Sequence, residues 1–276
     1  MTDKTSDAIM RVLQNGRIEI EGLLPWSSNY AFLVQVCHEA EVVETVEAVE
    51  PVEAVETVEA VETVEAVETV EAVYKPQRGE RPLWDFPQGA LCYREQAAFI
   101  ISEALGWRII PPTVLRDAQH GPGTIQQFID HDPERHYFTI EGNSDYRPQL
   151  QRIALLDIVI NNADRKAGHV LIEEPDEPEA IGRLWGIDHG ICFHTDPKLR
   201  TVIWEFADTP IPPEMKADLI TLRDRLQDEN GEPAISLSQY LTSPEMAALI
   251  SRLDRLINRE NFPAPGPGRH YPWPPV

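Results

Sequence analysis

The sequence contains no run of about 18 consecutive apolar residues, so it offers no membrane-spanning helix. Its opening stretch, MTDKTSDAIMRVLQNG, lacks the charged, apolar and cleavage zones of a secretory signal. Cysteine is scarce: Cys37, Cys92 and Cys192 are odd in number, far apart and free of CxxC spacing. That excludes a disulfide framework and argues against a zinc site, so reduced packing thiols and a cytoplasmic location are expected. Positive charge is scarce too, with 24 Lys and Arg against 46 Asp and Glu and a net charge of −22. Between Glu39 and Ala72 lie twelve Glu and no Lys or Arg; they account for twelve of those charges and leave −10 elsewhere. Even the remainder argues against nucleic-acid binding, which needs a basic surface to neutralise phosphates.

What is present is first a repeat. VETVEA recurs from about Val43 to Ala72, interrupted at Pro51, with an underlying period of three. Neither a strand (period two) nor a helix (3.6) gains a clean apolar face from it. The segment 43–72 is expected to be an acidic low-complexity insertion, disordered or a marginal exposed helix. Deleting residues 43–70 should then leave the melting temperature nearly unchanged, because loops cost little to lengthen or shorten.

Around the insertion, residues 17–21, 30–36 and 72–76 read as three consecutive strands, the third carrying Lys75. Residues 94–105 have helical periodicity, and 113–116 and 123–129 look like two more strands, with Gly121-Pro122-Gly123 an ordinary turn. The second half is different: 150–160 is an apolar helix, 169–172 and 184–188 a short hairpin, and 214–227 and 243–259 amphipathic helices. The fold class expected is α+β and bilobal. A β-rich lobe over 1–130 precedes a mostly helical lobe over 131–260 and a Pro-rich tail over 261–276. Such a tail binds a partner groove as polyproline II or straps its own domain.

The densest chemistry lies in NNADRKAGHVLI (161–172) and WGIDHG (185–190). Phosphoryl transfer needs a Lys on the phosphates, a carboxylate to orient or deprotonate the acceptor, and metal ligands. Asp164 sits in a helix-to-strand loop, Lys166 two residues on could reach a γ-phosphate, and Asp188 closes the following strand. His189 and His194 read as structural, and Arg165 and Arg200 as phosphate ligands or carboxylate partners.

The blocks VYKPQRGERPLWDFPQG (73–89), PPTVLRD (111–117), NNADRKAGHVL (161–171), GIDHGICFH (186–194) and KLRTVIW (198–204) resemble a bacterial phosphatidylinositol 3- and 4-kinase-like family. More distantly, the chain is similar to lipid kinases and HipA-type protein kinases. The resemblance implies ATP with Mg²⁺ as cofactors and a protein kinase-like fold. It implies Lys75 as the phosphate-binding lysine, Asp164 as the catalytic-loop aspartate, to which the spacing above adds Lys166 as a catalytic candidate, and Asp188 as a metal ligand. It further implies Ser27, Ser28 and Asn29 in the loop that covers the phosphates, Glu95 as ion-pair partner of Lys75 with Glu80 competing, and Gln126, Gln127, Phe128 and Ile129 as the hinge that meets adenine. Trp84 and Phe86 are expected in the core. Where the superfamily has Asn as second metal ligand, this chain has His169, which would favour a softer ion such as Mn²⁺; alternatively His169 hydrogen-bonds Asp164, with Asn162 or water completing the shell. The implied activity is transfer of a γ-phosphate to a hydroxyl of a protein or small molecule; the alternative is a nucleotide-binding pseudokinase that scaffolds partners.

Overall fold

A computed structural model describes residues 3–24, 29–39, 67–175 and 180–276. It begins with a helix that the sequence reading passes over, α1 (Asp3–Asn15). Ile9, Met10, Val12 and Leu13 form its apolar stripe and pack on a sheet. The sheet has five antiparallel strands, β1 (Arg17–Leu23), β2 (Phe32–Glu39), β3 (Val67–Pro76), β4 (Thr113–Ala118) and β5 (Gly121–Gln127), in the order β1-β2-β3-β5-β4.

Strand β3 starts inside the acidic repeat. Its last unit, Val67–Ala72, pairs with β2 from Glu39↔Val67 to Val34↔Ala72. The expected disordered or helical state therefore fails over these six residues, while 40–66 lie outside the described residues. The reason is tertiary: β2 offers a ladder partner, and alternation then sends Val70, Ala72 and Tyr74 into the core with Val12 and Leu13. Val73 and Lys75 take the opposite face, toward the cleft. A revised deletion result follows. Removing 43–66 leaves Ala40–Val42 as a three-residue connection between the paired Glu39 and Val67. Its melting temperature should stay within about 2 °C of wild type, whereas removing 43–70 takes four strand residues and should lower it by several times that, measured by circular dichroism.

The β4–β5 turn also differs from expectation. Ala118 pairs with Gly121, so Gln119 and His120 form the loop and Gly121-Pro122-Gly123 opens β5. A Cβ on Gly123 would lie 2.4 Å from the Lys75 carbonyl oxygen. Only glycine lets the two strands approach there.

Helix α2 (Leu91–Ala104) covers the cleft side of β4 and β5. The helical half follows: α3 (Tyr137–Ile140), α4 (Arg147–Ile160), the hairpin β6 (Val170–Glu173) and β7 (Arg183–Gly186), α5 (Pro213–Gln227), α6 (Ala234–Ser238) and α7 (Ser243–Ile257). Its core joins Leu150, Ile153, Leu219 and Leu253 to Ala97, Phe99 and Ile101 of α2. Each such aliphatic or aromatic side chain contributes roughly 1.5–3 kcal/mol on burial, so α2 is held by the helical lobe as much as by the sheet. Arg94 reinforces this, ion-pairing with Glu245 of α7 in a buried contact and donating Nε–H to the Cys192 carbonyl at 3.0 Å. Trp84, expected in the core, is 93% exposed with the Lys198 ammonium 5.0 Å from its ring as a cation–π partner, while Phe86 is buried as expected. Cys92 and Cys192 are buried, and burial with the Glu80 carboxylate beside it pushes the Cys92 thiol up to about 12, so it stays protonated. No helix among the described residues is long and apolar enough to cross a membrane.

Candidate functional site

Lys75 stands on the cleft face of β3, opposite Thr124 in the ladder. Its Nζ lies 2.5 Å from Glu95 Oε1 and 3.2 Å from Asp188 Oδ1. Thr124 Oγ1 donates to the other oxygen of Glu95 at 3.0 Å. Burial opposes the Lys75 charge, but Glu95 and Asp188 outweigh it and hold its pKa above the ordinary value. Arg94, the residue before Glu95, anchors α2 to the helical lobe, so the carboxylate is fixed from behind. The competing Glu80 is engaged elsewhere: its oxygens accept the Leu91 and Cys92 N–H groups at 3.1 and 2.9 Å and cap α2.

The loop from Asn161 to His169 is built around one guanidinium. Arg165 is fully buried and ion-pairs with Asp157 of α4, also fully buried, at 2.9 Å. Its Nη1 donates to the carbonyls of His169 and Ile187, both at 2.9 Å, and Nη2 meets His189 Nε2 at 2.6 Å. Asp157 also accepts Asn162 Nδ2 at 2.9 Å. Of the two roles open to Arg165, carboxylate pairing is the one present. Within this hub, Asp157 is the positioning residue that sequence reasoning missed. Its signal was available, since Asp157 interrupts the apolar run LQRIALLDIVI and a buried acid needs a partner. A second brace comes from the tail, which straps its own domain: Ala167 N–H donates to the Pro275 carbonyl at 2.8 Å and Thr201 N–H to that of His270 at 3.1 Å.

Held this way, Asp164, His169 and Asp188 present ligand atoms that all lie within 4.8 Å of one another. Burial, with Asp188 close by, pushes the Asp164 carboxyl up to about 6 against the pull of Lys166, whose Nζ is 3.5 Å away. Lys75 holds the Asp188 carboxyl well below the usual carboxylate range, against burial. Asp188 adopts φ 60°, a left-handed backbone uncommon outside glycine. His169 Nδ1 lies 3.0 Å from the Asp164 carbonyl oxygen, and donation there leaves the Nε2 lone pair toward Asp188, 3.4 Å away. The hydrogen bond to Asp164 is thus made to its main chain. Burial lowers the His169 pKa to about 4, so the ring is neutral and able to ligate. One imidazole nitrogen and two carboxylates fit a divalent cation of the Mn²⁺ type at least as well as Mg²⁺.

Behind these groups a cavity of about 360 Å³ opens between the lobes. Leu24, Ala31 and Val73 line it on the sheet side and Leu171 and Ile187 on the other, an apolar slot suited to a flat ring. Lys75, Lys166, His169 and Asp188 line its polar end, and Gln126 to Ile129 its back. The N–H groups of Gln127 and Phe128 donate to the Pro112 and Glu71 carbonyls; that of Ile129 has no hydrogen bond among the described residues. Asn29 is not brought to the wall, since its Oδ1 accepts the Arg81 N–H at 2.9 Å. Ser27 and Ser28 lie outside the described residues.

Comparison with known proteins gives this geometry a context. Residues 107–230 match the family model "Phosphatidylinositol 3- and 4-kinase". The chain is 34% identical over 234 residues to Protein Rv2133c of Mycobacterium tuberculosis, covering 73% of this chain and 81% of that one. It is 28% identical over 166 residues to phosphatidylinositol 4-kinase gamma 1 of Arabidopsis thaliana, covering 51% of this chain but 29% of the plant protein. Among solved structures it resembles the Golgi casein kinase with Mn/ADP bound, at TM-score 0.53 and 15% identity over 93% of this chain and 75% of that one. It also resembles hydra Fam20 with sugar, at TM-score 0.50 and 13% identity over 92% and 88%. The sheet-rich and helical lobes around the cleft are therefore those of a bilobal kinase-like fold, and the chain belongs to the phosphatidylinositol 3- and 4-kinase-like family.

Proposed function

We propose that the chain is an ATP-dependent phosphotransferase that moves a γ-phosphate to a hydroxyl. The observation that carries this is the meeting of the Lys75 ammonium from the sheet with Asp188 from the helical lobe, beside Asp164 and His169, at the polar end of one cavity. The apolar slot takes adenine, with the Ile129 N–H as a main-chain donor. Lys75 holds phosphate oxygens and is itself oriented by Glu95. Asp188 and His169 hold a divalent cation, which neutralises charge developing on the phosphates; the Mn/ADP of the Golgi casein kinase structure supports that pairing here. Asp164, with its pKa raised to about 6, lies near the operating range of a general base and orients or deprotonates the acceptor hydroxyl. Lys166 partners its carboxylate and reaches toward the transferred group. The acceptor is a protein or small-molecule alcohol. A lipid headgroup is disfavoured, because this acidic chain is repelled by anionic membrane surfaces.

Measuring ATP consumption with Mg²⁺ and separately with Mn²⁺ tests the proposal. Wild type should turn over, at least as fast with Mn²⁺ given the His169 nitrogen. Asp164→Asn should lose about 100-fold or more while still binding nucleotide. Equal rates for the two proteins would remove Asp164 from the mechanism. Binding without turnover in either would leave the pseudokinase in its place.

A further inference from the structure

A second cavity, of about 190 Å³, lies on the helical lobe and shares no lining residue with the cleft. Arg252 and Arg255 of α7, Arg259 two residues beyond it, Asn161 and Thr195 all line it. We propose that these arginines form a receptor for a phosphate monoester. In a chain of net charge −22, none of the three makes an ion pair with a carboxylate among the described residues. The exposed Glu260, next to Arg259 in sequence, makes no ion pair among the described residues, and three other acids near the cavity in sequence or packing have partners of their own. Asp254 accepts Arg223 Nη1 at 2.8 Å, Glu245 is taken by Arg94, and Asp196 is exposed beside His194.

Arg252 is 7% exposed and rigidly held, donating Nε–H to the Val159 carbonyl at 2.8 Å and from Nη1 to that of His194 at 3.3 Å. Its Nη2 is buried without a hydrogen-bond partner among the described residues. Burial, and then the neighbouring Arg255 charge, lower its pKa to about 10. Arg255 and Arg259, both exposed, add two more guanidinium groups to the same cavity, and a dianion with several oxygens matches such forks. The cavity is smaller than the ~300–1,000 Å³ typical of larger ligands, which suits a phosphate group rather than a whole cofactor.

The facing wall is preset as well. Asn161, in the left-handed conformation at φ 55°, donates from Nδ2 to the carbonyls of His194 and Asp196 at 2.8 and 2.7 Å and accepts the Lys198 N–H at 2.9 Å. The exposed Thr195 is thereby fixed at the cavity's edge, in the segment that follows Asp188. The ester therefore has two sources, Thr195 itself or a free phosphate ester. In the first case Thr195 Oγ attacks the terminal phosphorus of a nucleoside triphosphate; the P–O bond to Oγ forms, the bond from that phosphorus to the β,γ-bridging oxygen breaks, the hydroxyl proton passes to a base and the nucleoside diphosphate leaves.

Phenyl phosphate titrated calorimetrically into the full chain is the probe. It should bind wild type, and the double variant R255Q/R259Q should bind at least about tenfold more weakly with an unchanged melting temperature. A chain carrying phosphothreonine at 195 separates the sources. If Thr195 supplies the ester, this chain melts above the unmodified one, loses the gain in R255Q/R259Q and no longer takes up phenyl phosphate. If the ester is free, it shows no gain and still binds the probe. No binding up to about 10 mM together with no gain from phosphothreonine overturns the proposal, as does equal binding by wild type and the arginine variant. None of these measurements requires turnover, so they stand apart from the phosphotransferase reading.

Discussion

Replacing Asp157 by asparagine is expected to destabilise the protein by about 3–5 kcal/mol, because it leaves the Arg165 charge buried and unpaired. Both side chains of the pair are fully buried, and the carboxylate accepts from Arg165 Nε as well as Nη2. The amide keeps the shape and loses the charge, so the loss cannot come from a cavity. For a chain of this size the melting temperature should fall by about 10 °C, read by circular dichroism. A fall of less than about 2 °C would mean that the pair does not hold the loop. Arg165→Met should also be severe, since it orphans the carbonyls of His169 and Ile187 together with Asp157. The two losses should be strongly non-additive in a double-mutant cycle, because each variant breaks the same network.

That network explains how an acidic chain builds a precise site. Arg165 bonds at once to α4 through Asp157, to its own loop through the His169 carbonyl, and to the segment after β7 through Ile187 and His189. Asp164, one residue before Arg165, and Asp188, one after Ile187, are thus set by a single rigid planar group. Gly186 is part of the arrangement, since a Cβ there would come within 3.3 Å of Arg165 Nη2. On the other side, Lys198 ion-pairs with Asp85 and sits 5.0 Å from the Trp84 ring, tying the segment after Asp188 to the sheet-rich half.

Much of this was legible before any coordinates. Helical periodicity marked α2, α4, α5 and α7, the spacing of Asp164, Lys166 and Asp188 marked the loop and strand end, and the family resemblance added Lys75 on its strand. What the sequence concealed has physical causes. Valines three apart, such as Val70 and Val73, fall on opposite faces of a strand, so the repeat shows no alternation and β3 appears to begin only at Ala72. Its true start depends on β2, 28 residues upstream at Glu39↔Val67. Helix α1 carries its apolar residues at Ile9, Met10, Val12 and Leu13 within a short amphipathic segment, and only the sheet it covers makes that stripe meaningful. Trp84 looks like core by residue type alone. Its place over Lys198 is a long-range contact that no local pattern encodes.

Asp188→Asn should reduce ATP turnover by about two to three orders of magnitude, the scale expected when a preorganised charge at the reacting centre is lost. Asparagine is the informative substitution because it tolerates the left-handed backbone that Asp188 adopts at φ 60°, whereas alanine would add strain to the loss of charge. In the wild type one oxygen accepts the Lys75 ammonium at 3.2 Å and the other lies 3.4 Å from His169 Nε2, so the group links Lys75 to the proposed cation site. An amide in its place offers one neutral oxygen to either neighbour and a donor to the other. Mn²⁺ affinity, followed by electron paramagnetic resonance without nucleotide, should therefore fall together with turnover, while Lys75 keeps Glu95 as its remaining partner. Loss of turnover with Mn²⁺ affinity intact would assign Asp188 to orienting Lys75 rather than to holding the ion, and unchanged turnover would take the carboxylate out of the chemistry altogether.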